Sequence, residues 1–242
     1  MFLEVKDLRK EYDGVVANDG ISLGLEKGEI VGLIGPNGAG KTTLFNCIAG
    51  YHKPTDGIIL FKGNDITYWP AHKTARAGIG RTFQIMRIMK RLTVEENVMI
   101  GAFSRIGDRE KARKAAQEIL ELLDLKQAAN VWPTELPIAI QKRVELARTL
   151  ATTAELLLLD EIAAGLNAME TAQMIKTLRG IYKEKNLTLL LTEHVMDFIM
   201  KISDRIIVMA AGRKIAEGAP EEIAGNEEVI KAYLGERFAK SR

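Results

Sequence analysis

The sequence predicts an α/β fold, with an N-terminal antiparallel β region and an inserted α-helical subdomain. Three observations point there. Residues Gly35 to Thr42 follow the pattern G-x-x-x-x-G-K-T, between an apolar run and a stretch with helical potential. The first sixty residues are rich in short β candidates separated by turn residues. From Leu156 onward, apolar strands alternate with helical segments, the pattern of a parallel sheet with crossover helices.

The elements follow in order. Leu3 to Leu8, Ile21 to Leu25, Ile30 to Ile34 and Gly57 to Phe61 read as strands, broken by turns at Asp13-Gly14, Lys27-Gly28 and Thr55-Asp56-Gly57. A helix is expected from Thr43 to Ala49, stopped by Gly50. Between Asp108 and Leu125, the residues Ala112, Ala115, Ala116, Ile119, Leu120, Leu122 and Leu123 share one broad face among charged residues, which predicts an amphipathic helix. Another helix is expected from near Pro137 to Leu150. Leu156 to Leu159, Leu187 to Leu191 and Arg205 to Val208 read as further strands. Ala210-Ala211-Gly212 turns Ile206-Ile207-Val208-Met209 back on Lys214-Ile215-Ala216 as a hairpin. The expected organisation is a single domain, 1–242. Its core and β region are 1–87 and 150–242, and its helical subdomain is 88–149.

Composition narrows the class. With 242 residues, 47% hydrophobic, the chain can bury a sizeable core. A formal net charge of +2 carries no global nucleic-acid signature, and no nucleic-acid partner is expected. Cys47 is the one cysteine, which excludes an internal disulfide and fits a reducing compartment. The opening Met1-Phe2-Leu3-Glu4-Val5-Lys6-Asp7 is not a secretory signal, and no apolar run approaches the ~18 residues of a membrane span. The expectation is a soluble chain that would serve a membrane only as a peripheral subunit.

The chemistry gathers around Gly35, Pro36, Asn37, Gly38, Ala39, Gly40, Lys41, Thr42 and Thr43. Glycines let backbone N–H groups turn inward around a polyphosphate. Lys41 brings a compact positive charge to it. Thr42 offers a hydroxyl to Mg²⁺, which takes oxygen ligands. The following helix directs its N-terminal dipole at the anion. Leu156-Leu157-Leu158-Leu159-Asp160-Glu161 ends a buried strand in two carboxylates, at the edge where open α/β sheets bind ligands. Asp160 suits the metal shell, and Glu161 suits polarising an attacking water. His194 follows another apolar strand. Gln84 offers both donor and acceptor, to the metal or to the water. Tyr12 can stack an adenine ring.

With these residues in place, the chain resembles the ATP-binding subunits of ABC transporters over essentially its full length. The order matches Tyr12, Gly35 to Thr43, Gln84, Leu136 to Gln141, Leu156 to Glu161, Ala164 to Asn167 and His194. Further segments are similar to the branched-chain amino acid importer ATPases. They are Gly80-Arg81-Thr82-Phe83-Gln84, Leu92-Thr93-Val94-Glu95-Glu96-Asn97-Val98, Ala163-Ala164-Gly165-Leu166-Asn167 and Ala232-Tyr233-Leu234-Gly235. The resemblance implies a P-loop NTPase (RecA-like) core that binds ATP and Mg²⁺. Glu161, His194 and Gln84 would then be catalytic, and Thr42, Gln84 and Asp160 would hold the metal. It further implies a second ATPase subunit, membrane permease subunits and, indirectly, an extracytoplasmic solute-binding protein, with the chain at the cytoplasmic face of the membrane. A non-transport ABC ATPase and a mainly nucleotide-binding regulatory subunit stand as alternatives. Docking on a permease is expected near Gln84 and Ile85 to Met99.

One motif departs from that family. Its Leu-Ser-x-Gly-Gln signature reads Leu136-Pro137-Ile138-Ala139-Ile140 here, although the following Gln141-Lys142-Arg143-Val144-Glu145-Leu146-Ala147-Arg148 matches well. Pro137 lacks the serine hydroxyl and a backbone N–H, and Ala139 adds a Cβ where glycine admits a phosphate. A helix can still start there, because proline is tolerated in a first turn. Ile162 replaces the proline that usually follows the catalytic glutamate. In the family, each ATP lies between one subunit's phosphate loop and the other's signature. The resemblance therefore implies an intact phosphate-loop half beside a weakened signature half, and favours a heterodimer over a homodimer.

Overall fold

A computed structural model describes residues 1–234. Along the chain come β1 (Leu3–Tyr12), β2 (Val15–Leu25), β3 (Ile30–Ile34), α1 (Lys41–Ile48), β4 (Asp56–Phe61), β5 (Asn64–Asp65), α2 (Ala71–Ala77) and β6 (Ile79–Arg81). Then follow α3 (Val94–Phe103), α4 (Arg109–Leu122), α5 (Ile138–Leu150), β7 (Leu156–Asp160), α6 (Ala168–Lys185) and β8 (Thr188–Thr192). The last are α7 (Met196–Ile202), β9 (Arg205–Ala210), β10 (Arg213–Gly218), α8 (Pro220–Ala224) and α9 (Glu227–Leu234). Two compact units result. One joins Met1–Thr74 to the chain from Thr188 onward, and the other is Ala75–Leu187.

In the first unit, β2, β1, β4 and β5 form an antiparallel sheet in that order. β1 and β2 are longer than their apolar cores because Asp13-Gly14 joins them directly. Both turn residues have positive φ (45° and 86°), the two-residue turn whose twist suits a hairpin. The strand β3 pairs in parallel with β8 on one side (Ile30↔Leu189) and β9 on the other (Gly32↔Ile206). Every residue of β3 and β8 is buried, as expected of strands covered on both faces. The hairpin expected at Ala211-Gly212 is present, with β10 antiparallel to β9. The phenylalanines Phe45, Phe61 and Phe198 are fully buried.

In the second unit, β6 and β7 pair in parallel, Gly80 opposite Leu157. The side chains of Leu156, Leu157, Leu158 and Leu159 have no exposure, and such burial stabilises by about 1.5–3 kcal/mol per side chain. Asp108 caps α4 instead of belonging to it: its carboxylate accepts from Lys111 N at 2.8 Å, while Asp124 (φ 54°) ends the turn beyond. Thr93 and Glu96 form a reciprocal capping box at the start of α3. Helices α3 and α5 approach so closely that a Cβ on Gly101 would lie 2.1 Å from the Arg148 carbonyl, so only glycine fits there. Pro137 stands at the N-cap of α5, where its missing N–H costs no helical bond.

Candidate functional site

The first unit carries the phosphate loop. It leaves β3 at Ile34 and enters α1 at Lys41, two residues before the helix expected from sequence. Gly35 has φ 153°, and a Cβ on it would sit 2.1 Å from the Met209 carbonyl of β9. The loop is thus pressed against the neighbouring strand, and Gly212 N donates to Ala39 O at 3.2 Å. From β2, the buried Asn18 donates to Gly40 O at 3.1 Å. Lys41 is 7% exposed and its ammonium folds back on the carbonyls of Gly35 (2.6 Å) and Pro36 (3.1 Å). Those carbonyls hold the charge inside the loop until a stronger acceptor is offered. Thr42, the next residue, is exposed in the first turn of α1, which suits a hydroxyl meant for an ion.

Tyr12 closes β1 beside this loop. Its hydroxyl is hydrogen-bonded to His52 Nδ1, and Lys10 Nζ lies 4.6 Å from its ring centroid. Burial pushes its phenol above the ordinary value and Cys47 adds to this, while a hydrogen bond from the Thr43 side chain pulls the other way. Burial also pushes the Cys47 thiol up, to about 11, which leaves it inert. Tyr233 of α9 reaches the same loop: burial raises its phenol, and the amide of Gly35 opposes the rise. The segment Ala232-Tyr233-Leu234-Gly235 therefore begins against the phosphate loop, with Gly235 outside the described residues. His194 is exposed, two residues beyond the end of β8.

The second unit holds the carboxylates and Gln84 together. Asp160 ends β7, 4% exposed, and its carboxylate meets the Arg81 guanidinium at 3.3 Å. Thr82 Oγ1 accepts from Asp160 N at 3.1 Å. Glu161 follows in the left-handed region, φ 52°, a conformation that costs about 1–3 kcal/mol outside glycine and persists only where neighbours hold it. Two neighbours do. Gln84 Nε2 donates to Glu161 Oε2 at 2.9 Å, and Lys142 Nζ donates to Glu161 O at 2.9 Å. Among the described residues no cluster of three His, Cys, Asp or Glu could hold a metal. Within this unit Gln84 and Asp160 offer oxygen donors of the kind Mg²⁺ takes, an ion bound by few protein oxygens, substrate phosphates and water.

Pro137, Ala139 and Ile140 line a hollow of about 370 Å³ with Met169 and Met174. Arg143, Glu170 and Gln173 complete its lining, so the degenerate signature borders a hollow of mixed character. Along the Gln84 loop, Ile85 is 83% exposed and Met89 is 46% exposed. With Met86 and Ile88, Ile85 borders a second hollow of about 260 Å³, reaching Pro133 and Gln141. Met86 and Ile88 are half-buried, and farther along the expected docking segment Val94, Val98 and Met99 are core.

The sequence reading missed Arg81, Lys142 and Glu145 as members of the site. Glu145 Oε1 accepts from the backbone amides of Phe83 and Arg87, both at 3.4 Å. Burial pushes its carboxyl up, against those amides and the charges of Arg148 and Lys142. No sequence signal marks them: Lys142 and Glu145 read as solvated charges of a helix, and their burial is seen only in the fold.

Residues 18–164 match the family model described as ABC transporter, and residues 213–239 match that described as branched-chain amino acid ATP-binding cassette transporter. The chain is 41% identical to the high-affinity branched-chain amino acid transport ATP-binding protein BraF of Pseudomonas aeruginosa, over 97% of this chain and 98% of the relative. It is equally similar, over the same shares, to the corresponding protein LivG of Escherichia coli. Among solved structures, MJ1267, an ATP-binding cassette of an ABC transporter, superposes with a TM-score of 0.90 at 30% identity, over 97% of this chain and 99% of that one.

Proposed function

The chain belongs to the ABC transporter ATP-binding subunits and is an importer ATPase; we propose that it powers the import of branched-chain amino acids, or of a related small polar solute. The single observation that carries the catalytic reading is the Gln84–Glu161 pair, set beside Asp160 in a protein that also carries a complete phosphate loop. In this reading each set acts on ATP. Tyr12 stacks the adenine, and the amides from Gly35 to Thr43 bind the phosphates. Lys41 exchanges its loop carbonyls for phosphate oxygens. Thr42, Asp160 and Gln84 would hold Mg²⁺, which neutralises phosphate charge when bound. Arg81 keeps the Asp160 carboxylate fixed for that task. Glu161 accepts the proton of the attacking water and His194 contacts the γ-phosphate. Lys41→Ala is expected to abolish tight nucleotide binding. Glu161→Gln is expected to keep binding and to slow hydrolysis by about 10²–10⁴-fold, since an amide is a far poorer base. Titration with a fluorescent ATP analogue and a phosphate-release assay separate the two; parental hydrolysis in Glu161→Gln would require another base.

In this reading the chain sits at the cytoplasmic face of the membrane, and its partners are membrane permease subunits and, through them, a solute-binding protein. The exposed Ile85 and Met89 with the half-buried Met86 and Ile88, set among Arg87, Lys90 and Arg91, have the adaptable apolar character of a docking surface. A crosslinker placed at Met86 or Met89 is expected to capture a permease subunit from intact membranes. Repeated failure in an assembled complex would remove this surface from the reading.

A second ATPase with an intact signature is the favoured partner. Pro137 offers neither an N–H nor a hydroxyl, and Ala139 adds a Cβ where glycine would admit a phosphate, so this signature is poor at stabilising a phosphate on a facing subunit. Loss of one preorganised donor typically costs about 10²–10³ in rate. The chain alone is therefore expected to hydrolyse ATP slowly. The double variant Pro137→Ser, Ala139→Gly is expected to raise that rate by at least about tenfold. Vigorous hydrolysis by the parental chain alone, unchanged in the double variant, would show that no partner is needed.

A further inference from the structure

Gln84 is exposed, so its own packing does not place it. Its position comes from the backbone on either side, and that backbone is held by α5. One oxygen of the buried Glu145 receives the amides of Phe83 and Arg87, which bracket Gln84. Arg148, one turn on, donates to the Arg87 carbonyl and lies 3.9 Å from the same Glu145 oxygen. One turn back, the buried Lys142 holds the carbonyl of Glu161, whose left-handed backbone needs such support. Thus three charged side chains of one helix, spaced by three residues, grip the two segments that meet in the Gln84–Glu161 hydrogen bond.

We propose that Glu145 and Lys142 are positioning residues for hydrolysis: Glu145 sets the loop that carries Gln84, and Lys142 sets the peptide of Glu161. The proposal rests on the reading of Gln84 and Glu161 as the groups that orient and activate water. Burying a carboxylate and an ammonium on one helix face is costly, and apolar residues would pack there with less penalty. What the charges supply is direction. A carboxylate oxygen can hold two amides of an irregular loop, and an ammonium can hold a carbonyl that no helix or strand satisfies. Small displacements of such groups are expensive for the chemistry, because catalysis depends on reacting groups being held in place.

The test uses the full chain for exchange and the assembled transporter for kinetics. In Glu145→Ala, amide hydrogen exchange across residues 83–87 is expected to rise by about tenfold, the loss of a charge-assisted hydrogen bond. kcat is expected to fall by up to about 10²-fold while ATP affinity stays within about twofold, because the phosphate loop is untouched. Lys142→Met is expected to lower kcat in the same way without raising exchange at 83–87. Glu145→Gln, which keeps an acceptor oxygen, is expected to recover most of the loss. Exchange at 83–87 unchanged in Glu145→Ala overturns the proposal, whatever the rate does. So does a variant in which kcat and ATP affinity fall together with exchange rising throughout the unit, the pattern of general destabilisation. The catalytic reading is checked separately by Glu161→Gln. If that variant is slow and Glu145→Ala has normal kcat with a freed loop, positioning is refuted. If Glu161→Gln hydrolyses normally, the catalytic reading has failed and exchange alone decides whether Glu145 holds the loop.

Discussion

The phosphate loop is set by a close approach of two backbones. The strand β3 runs between β8 and β9 in parallel register, and at its end the chain must pass the Met209 carbonyl with no room for a Cβ. Gly35 meets that requirement. Gly212 and Asn18 then bond the loop carbonyls of Ala39 and Gly40, and α1 starts at the lysine. This geometry puts the N-terminus of α1, the end of the helix dipole that favours anions, at the end of the loop. Lys41 rests on its own loop carbonyls, so its burial is compensated while it waits.

The second unit solves a different problem, that of holding charged groups on irregular backbone. Asp160 ends a fully buried strand and is matched by Arg81. Glu161 turns the chain into a left-handed conformation and is held by Gln84 through its side chain and Lys142 through its carbonyl. The helix that begins at the degenerate signature is the one that carries Lys142, Glu145 and Arg148. The signature and the side chains that hold the Gln84 and Glu161 segments thus lie on one helix. The changes at Pro137, Ala139 and Ile140 alter what the helix shows at its N-terminus and leave this internal framework intact.

Much of this was legible in the sequence, for physical reasons. The strands β3 and β7 stand out because continuous apolar runs bounded by glycine or carboxylates have few other uses. The phosphate loop stands out because its glycines and lysine each have a mechanical task. The short elements α2 and β6 carry no periodicity strong enough to announce them. The start of β2 was hidden because Val15 to Gly20 has no clean apolar alternation, with Val15 and Val16 exposed and the polar Asn18 buried, and its pairing with β1 comes from the Asp13-Gly14 turn. Glu145 and Lys142 were hidden for a related reason. A charged residue in a helix reads as surface until tertiary structure shows what it touches. The exposure of Ile85 and Met89 likewise depends on where the Gln84 loop lies, which no local pattern encodes.

The central claim is that hydrolysis on this chain drives a small amino acid through a permease. Reconstitution of the chain with its permease and partner ATPase in proteoliposomes tests it most directly, with ATP inside the tested compartment and solute-binding protein added on the opposite face. The account predicts uptake of labelled leucine, isoleucine or valine that requires ATP, with hydrolysis stimulated when the binding protein is loaded. Hydrolysis indifferent to permease and loaded binding protein, with no uptake by an intact complex, would contradict it.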